Sequence, residues 1–118
     1  MKKLKVYIAS PYTFGDKLQN VKLQIDAFHI LMDLGYIPIA PLMSHYLNEV
    51  KERSHAEWIE YDFEILKLCD MTIRIRPKDE NGVEIPSTGA DMEMEETKRL
   101  GLQYYEFSTL DRMKEFFQ

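Results

Sequence analysis

The sequence has one cysteine, one tryptophan, five glycines and five prolines in 118 residues, and no excess of positive charge. A lone cysteine, Cys69, rules out an internal disulfide, and no Cys/His set has the spacing of a zinc site. The setting expected from this is a reducing, cytoplasmic one. No apolar run approaches the roughly 20 residues that a membrane span requires, so no membrane partner is expected. The lysine-rich opening MKKLKVYIAS leads into a strand pattern and does not read as a signal peptide. With 15 Lys and Arg against 20 Asp and Glu, the formal net charge is −5. That balance argues against nucleic acid as a partner, since non-specific binding relies on basic surface. It permits a small anionic ligand held by a few backbone N–H groups. Repeats, low-complexity tracts and linkers are also missing, so residues 1–118 are expected to form one domain around one core.

What is present is an alternation of strand and helix patterns. Lys5–Ala9 (KVYIA) is a β-rich run, followed by the loop SPYTFGD. Leu18–Leu34 reads as a helix, with Val21, Ile25, Phe28 and Met32 at helical spacing and Gly35 as its stop. Tyr36–Ala40 (YIPIA) is a second strand, which Pro38 puts at an edge or ends early. After a polar connection, Ala56–Cys69 is a second helix and Met71–Ile75 a third strand. A charged loop with an Asn81-Gly82 turn signal precedes a helix that runs to about Leu100. Gln103–Phe107 is a fourth strand, and Leu110–Phe117 a closing helix. The fold class that follows is α/β: a flavodoxin- or Rossmann-like domain with a parallel sheet of four to five strands and helices on both faces. Right-handed crossovers put the loops SPYTFGD, PLMSHY and RPKDENGVEIPSTGA at the carboxyl edge, where ligands bind in such sheets.

Two carboxylates sit on the wrong faces of their helices. In PSTGADMEMEETKRLG, a rotation of about 100° per residue groups Ala90, Met94, Thr97 and Gly101 as the inward stripe, with Glu93 on the same side. Asp91, Glu95 and Glu96 point outward as a solvated face, with Glu95 spaced to pair with Arg99 at i,i+4. In the second helix, Asp62 interrupts the apolar spacing of Trp58, Ile65 and Cys69. A carboxylate in a low-dielectric setting must be hydrogen-bonded, paired or protonated. Asp62 therefore braces a loop, lies at a rim, or takes part in chemistry. Glu93 is either a helix-start acid stabilised by the dipole or a reactive group.

A pair of this kind suits displacement at an acetal-like carbon, where one carboxylate attacks and the other carboxyl protonates the leaving group. Different environments keep one ionised and the other protonated near neutral pH. Ser87, Thr88 and Gly89 precede the helix and form a natural anion site. A phosphate there lies about one turn from Glu93, roughly 5–6 Å, which suits a nucleotide sugar.

VYIASP after the first strand, YDFEILKLCD leading into the third, and STGADME together resemble the nucleoside 2-deoxyribosyltransferase superfamily, which includes the 2′-deoxynucleoside 5′-monophosphate N-glycosidases. The resemblance runs from Tyr7 to the fourth strand. It implies that Glu93 is the nucleophile, forming a covalent deoxyribosyl intermediate, and that Asp62 is the general acid/base. It implies that Tyr7 orients the nucleophile and that Ser87 binds the 5′-phosphate, with Gly89 allowing close approach and Ser10 adding a contact. Ser87 stands where the nucleoside-transferring branch tends to carry an aspartate, which tilts the expected substrate towards a nucleotide. No metal or cofactor is expected, because a missing 2′-hydroxyl eases positive charge at C1′ and makes a carboxylate nucleophile sufficient; the resemblance further implies a homodimer or higher homo-oligomer. The chain departs from the glycosidases in having SPYTFGD where they carry an arginine and glycines, leaving Lys17, Arg74 or Arg76 to supply positive charge. The segment RPKDENGVEIP is longer than its counterpart and is expected to be a lid or hairpin.

Other residues at the ligand edge carry two readings. Tyr12 and Phe14 either stack on a base or pack on the first helix. His45 either contacts a base or makes a local hydrogen bond. The expected function is cleavage or transfer of the N-glycosidic bond of a 2′-deoxynucleoside or its monophosphate. The alternative from another class is a non-catalytic nucleotide-binding module, favoured by the altered first loop. A third is an interaction domain whose carboxylates only brace loops.

Overall fold

Side chains that alternate along four short strands build the sheet of the computed structural model, which describes residues 2–118. The strands are β1 (Lys5–Ala9), β2 (Ile37–Ile39), β3 (Met71–Ile75) and β4 (Gln103–Phe107), all parallel, in the order β2-β1-β3-β4. The helices are α1 (Lys17–Asp33), α2 (Ser44–Val50), α3 (His55–Leu66), α4 (Thr88–Arg99) and α5 (Leu110–Phe117), with a short 3-10 turn at Pro41–Met43. The parallel sheet with helices on both faces is as expected. Val6, Ile8, Met71, Ile73 and Ile75 turn one way and pack with Ala27, Leu31 and Met113 of α1 and α5. The alternate positions turn the other way, where Tyr7 packs with Leu66 and Cys69 behind α3. Thr72 meets Thr97 of α4 on this face.

Local chemistry sets the element boundaries. Asp16 caps α1 and Gly35 follows it in the left-handed region at φ +93°, a conformation that glycine adopts without strain. Ser54 and Glu57 form a capping box at the start of α3. Pro38 sits in β2, an edge strand, where the lost N–H is tolerated.

Three expectations change. PLMSHYLNEV is a 3-10 turn followed by α2 and not a plain polar connection. The inward face of α1 is Asn20, Val21, Gln24, Ala27 and Leu31, whereas Met32 is exposed. The stripe rotates because Gln24 is fully used inside: its Nε2 donates to Ile8 O and Ser10 Oγ, and its Oε1 accepts from Leu42 N. The helix expected over Ala56–Cys69 ends at Leu66, and the chain reaches Cys69 through a turn. No helix among the described residues is long and apolar enough to cross a membrane.

The strand order reverses at β1. The chain leaves β1 towards one face through α1 and leaves β3 towards the other through α4. The crevice between these two strand ends is where an open α/β sheet presents its loops to a ligand.

Candidate active site

A cavity of about 390 Å³ opens at that crevice, within the range of small-molecule sites. Ser10, Tyr12 and Phe14 come from the loop after β1, and Pro41 and Leu42 from the turn after β2. Trp58 and Asp62 enter from α3, and Ser87, Gly89 and Glu93 from the start of α4. A larger, shallower groove between α3 and α4 is lined by Ile59, Phe63, Met92 and Glu96, but neither Glu93 nor Asp62 reaches it. The smaller cavity holds the convergent polar groups and is the candidate site.

Glu93 is the centre of the buried stripe of α4, between Ala90 and Thr97, and is only 6% exposed. Met94, expected in that stripe, lies aside and touches Arg74. The hydroxyl of Tyr7 donates to Glu93 Oε2. The backbone at Glu93 is also fixed, because Thr97 Oγ1 donates to its carbonyl at 2.7 Å and pairs with Thr72 Oγ1 at 2.8 Å. Burial pushes the Glu93 carboxyl up to about 8; the Tyr7 bond opposes this, the charge of Asp62 adds to it, and Arg74 opposes it. Asp62 is raised to about 7, by burial. Tyr7 is held well above the usual tyrosine value, first by burial and then by Glu93, so it stays a donor.

The first turn of α4 is arranged for an anion. Ser87 Oγ accepts from Ala90 N at 3.1 Å as the N-cap, leaving its own O–H to donate. A Cβ placed at Gly89 meets nothing within 4 Å. Ser10 is buried, and its Oγ accepts from Gln24 Nε2 at 2.8 Å. Glu93, Asp62, Ser87, Gly89, Ser10, Tyr12 and Phe14 therefore line the cavity, and Tyr7 lies directly behind Glu93. His45 does not line it; its Nδ1 bonds Tyr12 Oη at 2.5 Å, one layer back.

The three cations expected to supply charge do not line the cavity, and among the described residues the buried Arg74 Nε has no hydrogen-bond partner. Arg74 is buried, with Nη2 on Asp91 Oδ1 at 2.7 Å. Arg76 is held by Glu84 and Glu106. Lys17 Nζ stands 5.5 Å from the Tyr12 ring centroid. Among the described residues no lysine or arginine lines the cavity. The charged loop is a hairpin, closed by a Lys78–Glu84 bridge, and Pro77 and Ile85 seat it beside Asn20 and Leu23 of α1. It stands to one side of the cavity and not over it.

The acid face points outward as expected at Asp91 and Glu95, which are exposed, but not at Glu96. Asp91 binds Arg74, and Glu96, against α3, takes both hydrogen bonds from Arg99, at 2.5 and 2.9 Å. Arg99 prefers Glu96 to Glu95 because that side chain is only 10% exposed, so its charge is less screened by water. Only Glu95 is left as a simple surface acid. Sequence reasoning passed over Trp58 as a cavity wall and α2 as an element. A tryptophan eleven residues, about three turns, before Cys69 on a mixed stripe reads as core, and nothing in its spacing separates wall from core.

Comparison with known proteins gives the fold a wider setting. A family model described as a domain of unknown function, DUF7768, matches residues 4–107. No curated protein sequence matches the chain. Among solved structures, a 2-deoxyribosyltransferase from Bacillus psychrosaccharolyticus superposes with a TM-score of 0.67 at 22% identity, over 93% of this chain and 90% of that one. A 2-deoxyribosyltransferase from Leishmania mexicana superposes with a TM-score of 0.64 at 19% identity, over 90% of this chain and 64% of that one. At such identities the likeness is one of fold.

Proposed function

This chain belongs to the DUF7768 family, and for it we propose cleavage or transfer of the N-glycosidic bond of a 2′-deoxynucleoside or its 5′-monophosphate. The observation that carries the reading is Glu93: a buried carboxyl, oriented by Tyr7, at a cavity that also holds Asp62. The solved structures with the same fold are named as 2-deoxyribosyltransferases, which supports the class of reaction.

In the reactive form the pair holds one proton, with the charge on Glu93 and the proton on Asp62; with Glu93 raised to about 8 and Asp62 to about 7, this is the minor of the two one-proton arrangements. Tyr7 and Arg74 both favour the anion on Glu93. A Glu93 oxygen attacks C1′ of the sugar while the C1′–N bond breaks, its electron pair leaving with the base. Asp62 gives its proton to the departing nitrogen. The resulting glycosyl ester is opened by water, or by a second base, which attacks C1′ and returns the electron pair to Glu93; Asp62 takes the released proton. The absent 2′-hydroxyl eases positive charge at C1′, so two carboxyls suffice. A 5′-oxygen or phosphate meets the Ser87 hydroxyl and the free N–H groups of the α4 start.

A binding-only module on this fold gains nothing from Glu93. A buried carboxyl pushed up to about 8 destabilises the folded state at neutral pH. Incubation with a panel of 2′-deoxynucleosides and their monophosphates, following free base by chromatography, tests the proposal. Wild type releases base and Glu93→Ala does not. Equal release by both removes Glu93 from the reaction, and binding without release favours the module.

A further inference from the structure

We propose that α2 is a bracket that holds both aromatic walls of the cavity at a fixed spacing, with His45 and Asn48 as its positioning residues. Tyr12 and Trp58 enter the cavity from different elements, the loop after β1 and helix α3. Each is tied at its polar edge to the same seven-residue helix. Tyr12 Oη bonds His45 Nδ1 at 2.5 Å, with the rings edge-on at 5.7 Å between centroids. Trp58 Nε1 donates to Asn48 Oδ1 at 2.9 Å. Positions 45 and 48 are three apart, so they share one side of α2.

Both brackets are themselves braced. His45 Nε2 lies 3.3 Å from Glu49 Oε1. A carboxylate there keeps the ring proton on Nε2 and leaves Nδ1 as an acceptor for the tyrosine hydroxyl. Asn48 Oδ1 also accepts from Arg53 N at 2.8 Å, which ties α2 to the segment that enters α3. The backbone of the Tyr12 loop is fixed independently, because Asn20 Nδ2 donates to Tyr12 O at 3.1 Å and Phe14 O at 2.8 Å. His45 therefore acts on the Tyr12 ring and not on the course of the loop. Neither His45 nor Asn48 lines the cavity; they work through the rings they hold.

The consequence for the proposed reaction, on which this inference rests, is that the planar base meets two walls already in place. Aromatic walls bind flat rings of either purine or pyrimidine type through area and quadrupole. Fixing them beforehand spares the ordering of two side chains on binding. The effect belongs in ligand affinity and KM, and not in the chemical step.

The test uses Trp58, the single tryptophan, as reporter. Its emission is titrated with 2′-deoxyadenosine and with adenine, and base release is measured on the same proteins. His45→Ala and Asn48→Ala are expected to raise Kd and KM on the order of three- to tenfold, the size of one side chain left to be ordered, with kcat within about twofold. Asn48→Asp, which keeps the acceptor, behaves as wild type. Tyr12→Phe reproduces His45→Ala, and the double variant is no worse than either. Additive losses in the double variant, a drop in kcat alone, or unchanged affinity in both alanine variants overturns the bracket. If wild type neither binds nor cleaves any nucleoside, the proposed function fails, and acrylamide quenching of Trp58 still decides the bracket. Quenching rises in Asn48→Ala but not in Asn48→Asp if the bracket exists, and an Asn48→Ala value equal to wild type excludes it.

Discussion

The Tyr7 hydroxyl and the Glu93 carboxylate meet although 86 positions separate them in sequence. β1 delivers the tyrosine and α4 the glutamate, and the parallel crossover between β3 and β4 lays α4 over those two strands and within reach of β1. A charge-bearing group is thereby held with one donor, a fixed backbone and little water, which is the preorganisation that a reaction developing charge at a single atom requires.

Replacement of Glu93 by Gln retains shape and the acceptor for Tyr7. It is expected to lower kcat/KM for base release by about a thousandfold or more. Asp62→Asn is expected to cost about 10²- to 10⁴-fold, the usual range for a lost acid/base group. Equal rates for Asp62→Asn and wild type, measured on a substrate with a poor leaving base, contradict the role given to Asp62.

Rate against pH is expected to be bell-shaped. The reactive pair holds one proton, and its members are raised to about 7 and about 8. Activity in kcat/KM therefore climbs as the first proton leaves and falls as the second does, with its maximum between about 7 and 8. Tyr7→Phe removes a bond that favours the Glu93 anion and is expected to shift the maximum upward. A profile flat from pH 5 to 9 contradicts the pair.

Stability should move in the opposite sense to activity in the Glu93 variant. The carboxyl titrates near 4.5 when unfolded and near 8 when folded, so folding favours its neutral form. The wild type is thus at its best below about 4.5 in this respect and loses stability as pH rises to about 8. Glu93→Gln has no such loss. Its melting temperature is expected to match wild type near pH 4.5 and to exceed it at pH 8.5. Thermal scans across that window check the sign.

Gly89 separates folding from binding. A Cβ there meets nothing within 4 Å, so Gly89→Ala is expected to leave the fold intact and to stabilise α4 by about 0.5 kcal/mol. The same methyl group occupies the wall where a 5′-phosphate approaches. Affinity for monophosphates is expected to fall several-fold, and more than affinity for nucleosides. An equal effect on both, in parallel titrations, removes the anion from this position.

Much of the site was legible because anomalies stand out against helical period. Glu93 and Asp62 are acids at apolar positions, and the structure puts both at the cavity. Ser87 was visible as a helix cap. The strands β1, β3 and β4 were readable to the residue, since β-branched and aromatic runs there are bounded by loops. What escaped depends on partners from distant elements. Gln24 is buried only because the loops after β1 and β2 both need its amide. Arg99 chooses Glu96 over Glu95 because α3 shields one acid and not the other. α2 is short and exposes Tyr46, Leu47 and Val50, so its seven residues carry no apolar period that marks a packed helix. Its two bridging side chains gain meaning only once Tyr12 and Trp58 are placed.

The most direct measurement is to trap the intermediate. A 2′-deoxy-2′-fluoroarabinosyl nucleoside slows both steps by disfavouring positive charge at C1′, and a covalent species accumulates when its breakdown is the slower. Intact mass spectrometry is expected to detect one added fluorinated sugar, mapped by peptide sequencing to Glu93 and absent from Glu93→Gln. A burst of base equal to the enzyme without any adduct on Glu93, or an adduct on Asp62, contradicts Glu93 as the nucleophile.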